Sequence, residues 1–406
     1  MKKRNILASI DVGTTKVCTI VSDVSDDGDI RVIGVGITPC AGLHKGLVVN
    51  ISEAKDSIRE SVRKAEQASG HRVESAFVGV TGRHVSSLNN RAVVAITRND
   101  RLVRSDDLKR VLTSARSVKI PVDRRLLHVI PRGYAIDGQS GVGNPVGMHG
   151  FRLDVETHMI TAAVTSVQNL VKCIRGVGVD IDDLILEPLA SSEAVLSEDE
   201  KQVGVILADI GGGTTDIAIF REGSIWHTAI LPVAGYQITR DIAIGLGLPF
   251  DVAEEMKKKY GSVTPVYEAK TSIGSEALIT DGHGISHQDL CDILRARVEE
   301  ILRLIVLEMP NSEYETLVPD GVVLTGGSAN LAGIEALGRN TLQLPVRVGI
   351  PSNIHGIAEN LHDPAYATSV GLLLWGAKNK EMQTWQRRGL GLAFRHLVSR
   401  IFNLFH

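Results

Sequence analysis

The chain of 406 residues has little cysteine, few aromatic side chains and no long apolar run. Its four cysteines form no Cys-x-x-Cys pair, which excludes a disulfide framework and a zinc ribbon and favours a reducing cytoplasm. Aromatic residues make up 4% and the formal net charge is -3, so neither base stacking nor a basic footprint indicates nucleic-acid binding. No apolar run approaches the ~18 residues that span a bilayer. We expect a cytoplasmic protein with no nucleic-acid partner.

A glycine- and threonine-rich pattern occurs twice, as ASIDVGTTKVCTIV near the start and LADIGGGTTDIAIF near the middle. Each copy has an apolar strand, an aspartate, small residues, two threonines and a second strand. Each therefore predicts a β-hairpin, and the repetition predicts two domains of similar design. The length is sufficient for two cores.

The turns of these hairpins have the composition of a phosphate-binding site. Glycine tolerates positive φ and has no Cβ, so successive N–H groups can point at an anion. The aspartates before the turns, Asp11 and Asp209, are suited to a hydrated Mg²⁺, which needs few carboxylates. The candidate phosphate-binding residues are Gly13, Thr14, Thr15, Lys16, Gly211, Gly212, Gly213, Thr214 and Thr215. The alternative is a pair of ordinary glycine hairpins.

A third glycine pair follows the strand in VVLTGGSANL. Here Gly326, Gly327 and Ser328 end a strand and begin a helix, where backbone can pass close to a nucleoside. The chain contains no Gly-Lys dipeptide, which excludes a Walker A phosphate loop.

Together these motifs resemble those of the actin-like ATPase superfamily, whose ribonuclease-H-like fold clamps a nucleotide between two domains. The resemblance implies ATP with Mg²⁺, and two connecting helices at ILEPLASSEAVL and ATSVGLLLWGA. It also implies that Glu187 polarises the attacking water and that Glu254 and Lys257 reach the ribose or adenine. Alternatively, Glu187 is an acid stabilised at a helix N-terminus, and Glu254 with Lys257 is a surface ion pair.

The stretch from 84 to 164 is similar to the distinctive subdomain of the FtsA family of bacterial cell-division proteins. The segments that carry this resemblance are HVIPRGYAIDG and NPVGMHG, supported by HKGLVVNISEA and VTGRHVSS. The family implies a peripheral protein at the cytoplasmic face of the inner membrane, at the division septum. It implies at most weak ATPase activity, polymerisation with other copies, binding of FtsZ filaments and contact with other divisome proteins. FtsZ binding would fall roughly within 236–300.

The resemblance also sets the expected domains. These are a first actin-like core domain (1–83, 165–197 and 350–376), an inserted subdomain (84–164), a second core domain (198–235 and 287–349), its small subdomain (236–286), a linker (377–387) and a C-terminal amphipathic helix (388–406).

Locally, the sequence predicts a helix over 52–69 with Ser52 as its N-cap and Gly70 as its stop. A glycine- and proline-rich loop is expected over 138–150, and continuous helix from 241 to a stop at Gly261.

The C-terminal stretch has the pattern of an amphipathic helix that lies on a membrane. Its apolar arc contains Leu390, Ala393, Phe394, Leu397, Val398, Ile401, Leu404 and Phe405, and its basic residues are Arg388, Arg395 and Arg400. A cationic polar face opposite bulky apolar residues suits the headgroup region of an anionic membrane. The alternative is a terminal helix that packs on the protein's own core.

Two other function classes fit the same fold. A sugar or acetate kinase would need an acceptor pocket, for which no segment is evident. A pilus-assembly scaffold would recruit a membrane protein and would need no lipid-binding helix.

Overall fold

The computed structural model describes residues 5–25, 28–264, 277–280, 283–309, 318–357 and 359–389, without the side chains of 277–285 and 379–389. Of the amphipathic helix predicted over 388–406, all residues from Leu390 onward lie outside the described residues. Within the described ranges, no helix is both long and apolar enough to cross a bilayer.

The strands, in chain order, are β1 Asn5–Val12, β2 Lys16–Val24, β3 Ile30–Pro39, β4 Leu43–His44, β5 Leu47–Val48, β6 Ser75–Val80, β7 Val85–Ala95, β8 Arg124–Ile136, β9 Gln139–Val142, β10 Arg152–Ala163, β11 Asp180–Leu186, β12 Val205–Ile210, β13 Thr215–Arg221, β14 Ser224–Leu231, β15 Ala277–Thr280, β16 His283–Ser286, β17 Val322–Thr325, β18 Val346–Val348 and β19 His355–Gly356.

The α-helices are α1 Ile51–Ser69, α2 Ser105–Arg116, α3 Val164–Arg175, α4 Glu187–Val195, α5 Glu198–Val203, α6 Gly235–Leu246, α7 Phe250–Tyr260, α8 His287–Leu307, α9 Ile334–Leu342 and α10 Ala367–Gly389. Short 3-10 turns span Gly327–Asn330, Glu359–Leu361 and Pro364–Tyr366.

Two mixed sheets repeat one design. The first has the order β11-β6-β1-β2-β3-β19 and the second has the order β14-β13-β12-β17-β18. In both, the central strand pairs antiparallel with the next strand of its hairpin and parallel with a strand on its other side. The two predicted hairpins and the internal repeat are therefore confirmed.

The helices and sheets alternate in layers. Helices α1 and α3 cover the outer face of the first sheet, and α6, α8 and α9 cover the outer face of the second. Between the two sheets, one continuous apolar cluster includes Leu189 and Ala190 of α4 with Leu372 and Leu373 of α10. The two predicted connecting helices thus form the shared core.

The inserted subdomain is a four-stranded antiparallel sheet, in the order β7-β10-β8-β9, covered by α2. Strand β9 lies inside the stretch predicted as a loop over 138–150, so that prediction is wrong for its first part. The sheet docks on β14 of the second domain, where Ser87 donates to the carbonyl oxygen of Thr228 at 3.0 Å. At the same contact His158 Nε2 lies 3.0 Å from Thr228 Oγ1.

Three local predictions are corrected. Asn50, not Ser52, caps α1, because its Oδ1 accepts hydrogen bonds from two backbone N–H groups of the first turn. Gly70 does end that helix, with a left-handed φ of 68°. The helix expected from 241 to Gly261 is broken, because α6 ends at Leu246 with Gly247 as its cap at φ 64°, and Pro249 precedes α7. Residues 377–387, predicted as a linker, continue α10.

Helices α4 and α10 cross in backbone contact. A Cβ on Gly371 would overlap with the carbonyl group of Ala190 and crowd the amide of Ser191. One turn further along α10, a Cβ on Gly376 would overlap with the ring of Phe77. Only glycine at 371 lets the two helices approach this closely.

We expect Gly371→Val to destabilise the fold by about 2 kcal/mol or more, because overpacking here pushes on backbone rather than on a flexible side chain. The measurement is the thermal unfolding midpoint. Gly133→Val is the matched control, since a Cβ at Gly133 meets no atom within 4 Å. Equal midpoints for the two variants would show that the crossing tolerates a side chain.

Candidate functional site

The turns of the two central hairpins face each other across the two domains. Each turn is closed by the same backbone hydrogen bond, from Gly13 N to Lys16 O at 3.0 Å and from Gly211 N to Thr214 O at 2.9 Å. The first turn follows β1 and the second follows β12, so the internal repeat brings its two glycine-rich segments to one place.

Two glycines of the second turn, Gly212 and Gly213, are required by this contact and not by backbone conformation. Neither Gly13 nor any glycine from 211 to 213 has a positive φ, so the explanation by positive φ is wrong. A Cβ on Gly212 would overlap with the methyl group of Thr15, and one on Gly213 would lie 2.5 Å from Thr14 Oγ1. The turns are therefore in van der Waals contact, and an anion enters between them only if they separate.

The third glycine motif lies against the second turn. Gly326 has φ 84°, and a Cβ there would overlap with Asp209 Oδ1. Ser328 Oγ donates to Gly211 O at 3.2 Å. Gly327 is open, with Ala365 Cβ 3.8 Å from the position of its missing Cβ. The strand-turn-helix prediction is confirmed, and the turn borders the second hairpin.

Glu254 and Lys257 lie on α7 beside the same turn. Their ion pair measures 2.7 Å, and Lys257 Nζ also donates to Thr239 Oγ1 at 2.8 Å and to Gly235 O at 3.3 Å. Gly235 in turn donates its N–H to Gly211 O at 3.1 Å. The pair is half-buried, so it is more than a surface ion pair.

Four carboxylates are buried where the strands end at the turns. Asp11 and Asp209 are each 7% exposed, Glu187 is 8% exposed, and Asp216 is 3% exposed. Glu187 begins α4, and a Cβ on Gly79 would lie 3.3 Å from its Oε1. The structure thus brings Glu187 to the same cleft as the two predicted magnesium ligands.

Hydroxyl groups from the two crossing helices hold these carboxylates. Ser369 Oγ of α10 donates to Asp11 Oδ2 at 2.7 Å. Ser191 Oγ of α4 donates to Asp209 Oδ2 at 2.6 Å, and Thr368 Oγ1 donates to the same oxygen at 3.0 Å. The helix crossing therefore fixes both aspartates in the cleft.

Asp216 links the two domains. Thr81 at the end of β6 donates its hydroxyl hydrogen to Asp216 Oδ1, and Thr214 Oγ1 donates to Oδ2 at 2.9 Å. Burial, the nearby Asp209 and the nearby Asp11 raise the pKa of Asp216 to about 7. Burial also raises the pKa of Asp11 and Asp209, and it raises the pKa of Glu187 well above its usual value, with further contributions from Asp11, Asp216 and Asp209.

The predicted phosphate lysine, Lys16, is held beside this cluster. Its Nζ donates to Ala365 O at 2.5 Å and lies 4.5 Å from the centre of the Tyr366 ring. Its positive charge lowers the pKa of Asp11, Asp209 and Glu187, but less than burial raises it. Lys16 therefore offsets only part of the effect of burial, and a divalent cation beside Asp11 and Asp209 would stabilise their ionised forms.

The donor set fits a hydrated cation and not a cage of protein ligands. Among the described residues, no group of three or more His, Cys, Asp or Glu side chains is arranged to hold a metal. Asp11 and Asp209 each retain carboxylate oxygens that can bind metal-bound water, as the sequence predicts for Mg²⁺, which keeps several waters.

Sequence reasoning missed the polar residues that support the site. Asp216 is the last residue of the DIGGGTTD motif, and it lies directly opposite Asp209 in the β12–β13 register. Ser191 lies in α4, and Thr368 and Ser369 lie in the first turn of α10, next to the apolar residues that fill the core. A buried hydroxyl beside the apolar run of each connecting helix is the signal that would have found them.

Comparison with known proteins gives the family. The family model described as "Cell division protein FtsA" matches residues 206–371, and the model described as "SHS2 domain inserted in FTSA" matches residues 82–161. The cell-division protein FtsA of Pseudomonas aeruginosa is 43% identical over 381 residues, which are 92% of this chain and 90% of that protein. The chain belongs to the FtsA family. The FtsA of Escherichia coli is 34% identical over 389 residues, which are 93% of this chain and 91% of that protein.

Solved structures share the fold of this FtsA-family chain. One is a chain of the PilM-PilN type IV pilus biogenesis complex, with a TM-score of 0.64 at 18% sequence identity. The aligned region includes 92% of this chain and 99% of that chain. Another is MreB5 of Spiroplasma citri bound to AMPPNP, with a TM-score of 0.54 at 16% sequence identity. The aligned region includes 96% of this chain and 100% of that chain. The actin-like fold and the inserted FtsA-type subdomain are therefore confirmed, and the protein is an actin-like member of a cell-division family.

The raised pKa of Asp216 predicts a loss of stability as pH rises. The Asp216 carboxyl ionises near its usual pKa of 3.8 in the unfolded chain, whereas in the folded protein its pKa is about 7. Its contribution to the free energy of unfolding is therefore fully present below pH 3.8 and is lost as the pH rises to about 7. Asp216→Asn should flatten this slope by up to about 1.4 kcal/mol per pH unit.

The measurement is the thermal midpoint from about pH 5 to about pH 8, with chelator and without nucleotide. Asp320→Asn at an exposed turn is the control. An unchanged slope in Asp216→Asn would mean that this carboxyl titrates as it does in the unfolded chain.

Proposed function

We propose that the protein binds ATP with Mg²⁺ between the two turns and polymerises into actin-like filaments. These filaments tether FtsZ filaments to the cytoplasmic face of the inner membrane and help to assemble the division septum with other divisome proteins. The observation that carries the proposal is the contact between two glycine turns backed by four buried carboxylates, in a chain of the FtsA family.

The proposed roles follow from position. The phosphates lie between the turn from Gly13 to Thr15 and the turn from Gly211 to Thr215, with Lys16 adding a positive charge. The N–H groups of Gly13 and Gly211 close their own turns, and the hydroxyls of Thr214 and Thr215 donate to Asp216 and to Val233 O, so the remaining donors of the turns bind the phosphate oxygens. Asp11 and Asp209 hold the hydrated Mg²⁺, which when bound neutralises phosphate charge. Gly326, Gly327 and Ser328 bind the nucleoside together with Glu254 and Lys257.

The solved structures give limited support to this choice. The MreB5 structure is named for its bound AMPPNP, an ATP analogue, and shares the fold with this chain. The pilus-scaffold alternative draws on a structure that is 18% identical, whereas FtsA proteins are 34% to 43% identical over most of the chain. The family likeness therefore favours cell division over pilus assembly.

Gly212→Val should abolish ATP binding while the protein remains folded. The branched side chain would overlap with Thr15 and block the place between the two turns where the phosphates are proposed to lie. Calorimetric titration with Mg-ATP measures the affinity. Gly143→Val is the control, because a Cβ at Gly143 meets no atom within 4 Å. Equal affinity in both variants would place the nucleotide elsewhere.

Glu187 is the proposed base for any hydrolysis. Burial, together with the nearby Asp11, Asp216 and Asp209, raises the pKa of its carboxyl well above the usual value. Glu187→Gln should slow phosphate release at least about tenfold and leave ATP binding within about twofold. Phosphate release at the parental rate from the variant would remove Glu187 from this role.

The C-terminal segment 388–406 is the proposed membrane contact. Helix α10 extends to Gly389 and leads directly into it. One amphipathic helix binds reversibly, so filaments that carry many copies bind by avidity.

FtsZ binding is proposed for 236–300. A groove of about 340 Å³ lies there between α6 and α8, and Ile244 beside it is 70% exposed.

Removal of 388–406, or Phe394→Glu, should release the protein from anionic liposomes and leave FtsZ pull-down intact. Liposome sedimentation and FtsZ pull-down, each with and without ATP, measure the two activities separately. We expect ATP to strengthen liposome binding of the intact chain only. Sedimentation of the truncated protein with liposomes would make the segment a packing helix, and loss of FtsZ binding would contradict the separation of the two contacts.

A further inference from the structure

A second, smaller hairpin of the first domain lies over the second glycine turn. It consists of β4 and β5, with the two-residue turn Lys45-Gly46 between them, and is called here the lid hairpin (43–48). The Cα atom of Lys45 lies 3.0 Å from the position of a Cβ on Gly213. On the other side of the turn, Gly46 N donates to Thr14 Oγ1 at 3.2 Å. The lid hairpin therefore contacts both phosphate turns.

The tip of the lid hairpin is strained. Lys45 has φ 49° and Gly46 has φ 72°, the left-handed pair of a type I′ turn. Asn, Asp or Gly is usual at the first position, because a longer side chain is disfavoured there. Lys45 is therefore unusual for its backbone conformation. Because it lies over a candidate binding site, this conformation suggests a function for its side chain.

The surrounding contacts hold the lid hairpin in place. A Cβ on Gly46 would lie 3.0 Å from Gly82 Cα and 3.1 Å from Thr81 Cγ2, so the tip is packed against the end of β6. The His44 ring meets the Tyr236 ring edge-on, at 5.7 Å between centres. Tyr236 belongs to α6, and thus the lid hairpin spans the cleft from the first domain to the second.

Two described lysines, Lys16 and Lys45, lie at the phosphate turns, and they differ in whether the ammonium group is engaged. Four carboxylates are buried there, and the ammonium of Lys16 already donates to a backbone carbonyl and lies over Tyr366. In the part of the chain that the structure describes, the Lys45 ammonium has no ion-pair or hydrogen-bond partner. It is therefore available to a phosphate oxygen.

We propose that Lys45 binds the terminal phosphate of the nucleotide, and that the lid hairpin covers this phosphate once it lies between the turns. The proposal rests on the proposed function, because it assumes that ATP occupies this cleft. The two turns must separate to admit the phosphates, and the flexible stem of a lysine lets its ammonium follow the phosphate across the widened gap. A terminal-phosphate contact of this kind distinguishes ATP from ADP.

The test compares ATP and ADP affinities, with Mg²⁺, of the full chain and its Lys45 variants. Lys45→Ala removes the ammonium, Lys45→Gly removes it and also relieves the strained φ, and Lys45→Arg keeps the charge. We expect the first two to lose at least about tenfold in ATP affinity and less than about twofold in ADP affinity. Lys45→Arg should stay near the parent, and so should the exposed-site control Lys119→Ala.

Each other outcome has a distinct meaning. A parent chain that binds no ATP contradicts the proposed function itself. A parent that binds ATP with unchanged affinity in Lys45→Ala overturns the role of Lys45 and leaves the proposed function standing. Equal losses for ATP and ADP overturn the assignment to the terminal phosphate. Retention of ATP affinity in Lys45→Gly alone would trace the effect to backbone strain, and it too overturns the proposal.

Discussion

The site depends on the crossing of the two connecting helices. Because position 371 has no side chain, α10 meets α4 at backbone contact, and hydroxyls from both helices reach the aspartates at the ends of β1 and β12. A wider crossing would remove these donors and leave two carboxylates buried without partners, which is unfavourable. The same helices fill the core between the two sheets. The close crossing of α4 and α10 at Gly371 is therefore required both for the packing of the core and for the hydrogen bonds to the buried aspartates.

The cleft itself is a contact between domains. Thr15 touches the second turn, Thr81 donates to Asp216 across the interface, and the lid hairpin adds Lys45 and His44. These contacts close the turns on each other, while Asp11 and Asp209 retain carboxylate oxygens that can bind a hydrated cation. A nucleotide would replace the contact between the turns, and its metal would add positive charge beside the aspartates. Nucleotide binding and the relative position of the domains are therefore coupled in this account.

Much of this arrangement could be predicted from sequence, because its signals are local. The hairpins, the aspartates before their turns and the apolar connecting helices each occupy a short segment with a clear pattern. The reason for the glycines could not be predicted, since it lies in Thr15, distant in the chain. The N-cap of α1 was predicted at Ser52 and is Asn50. Both residue types are common N-caps, and only the backbone shows where the helix begins. Asp216, Ser191 and the lid hairpin owe their roles to long-range contacts that no local pattern records.

The central claim is that nucleotide phosphates bind between the two turns. A crystal structure with Mg²⁺ and a non-hydrolysable ATP analogue tests it most directly. The account predicts phosphates between the turns that begin at Gly13 and Gly211, the metal on the side of Asp11 and Asp209, and a gap in place of the contact between Thr15 and Gly212. A nucleotide bound elsewhere, with the two turns still touching, would contradict it.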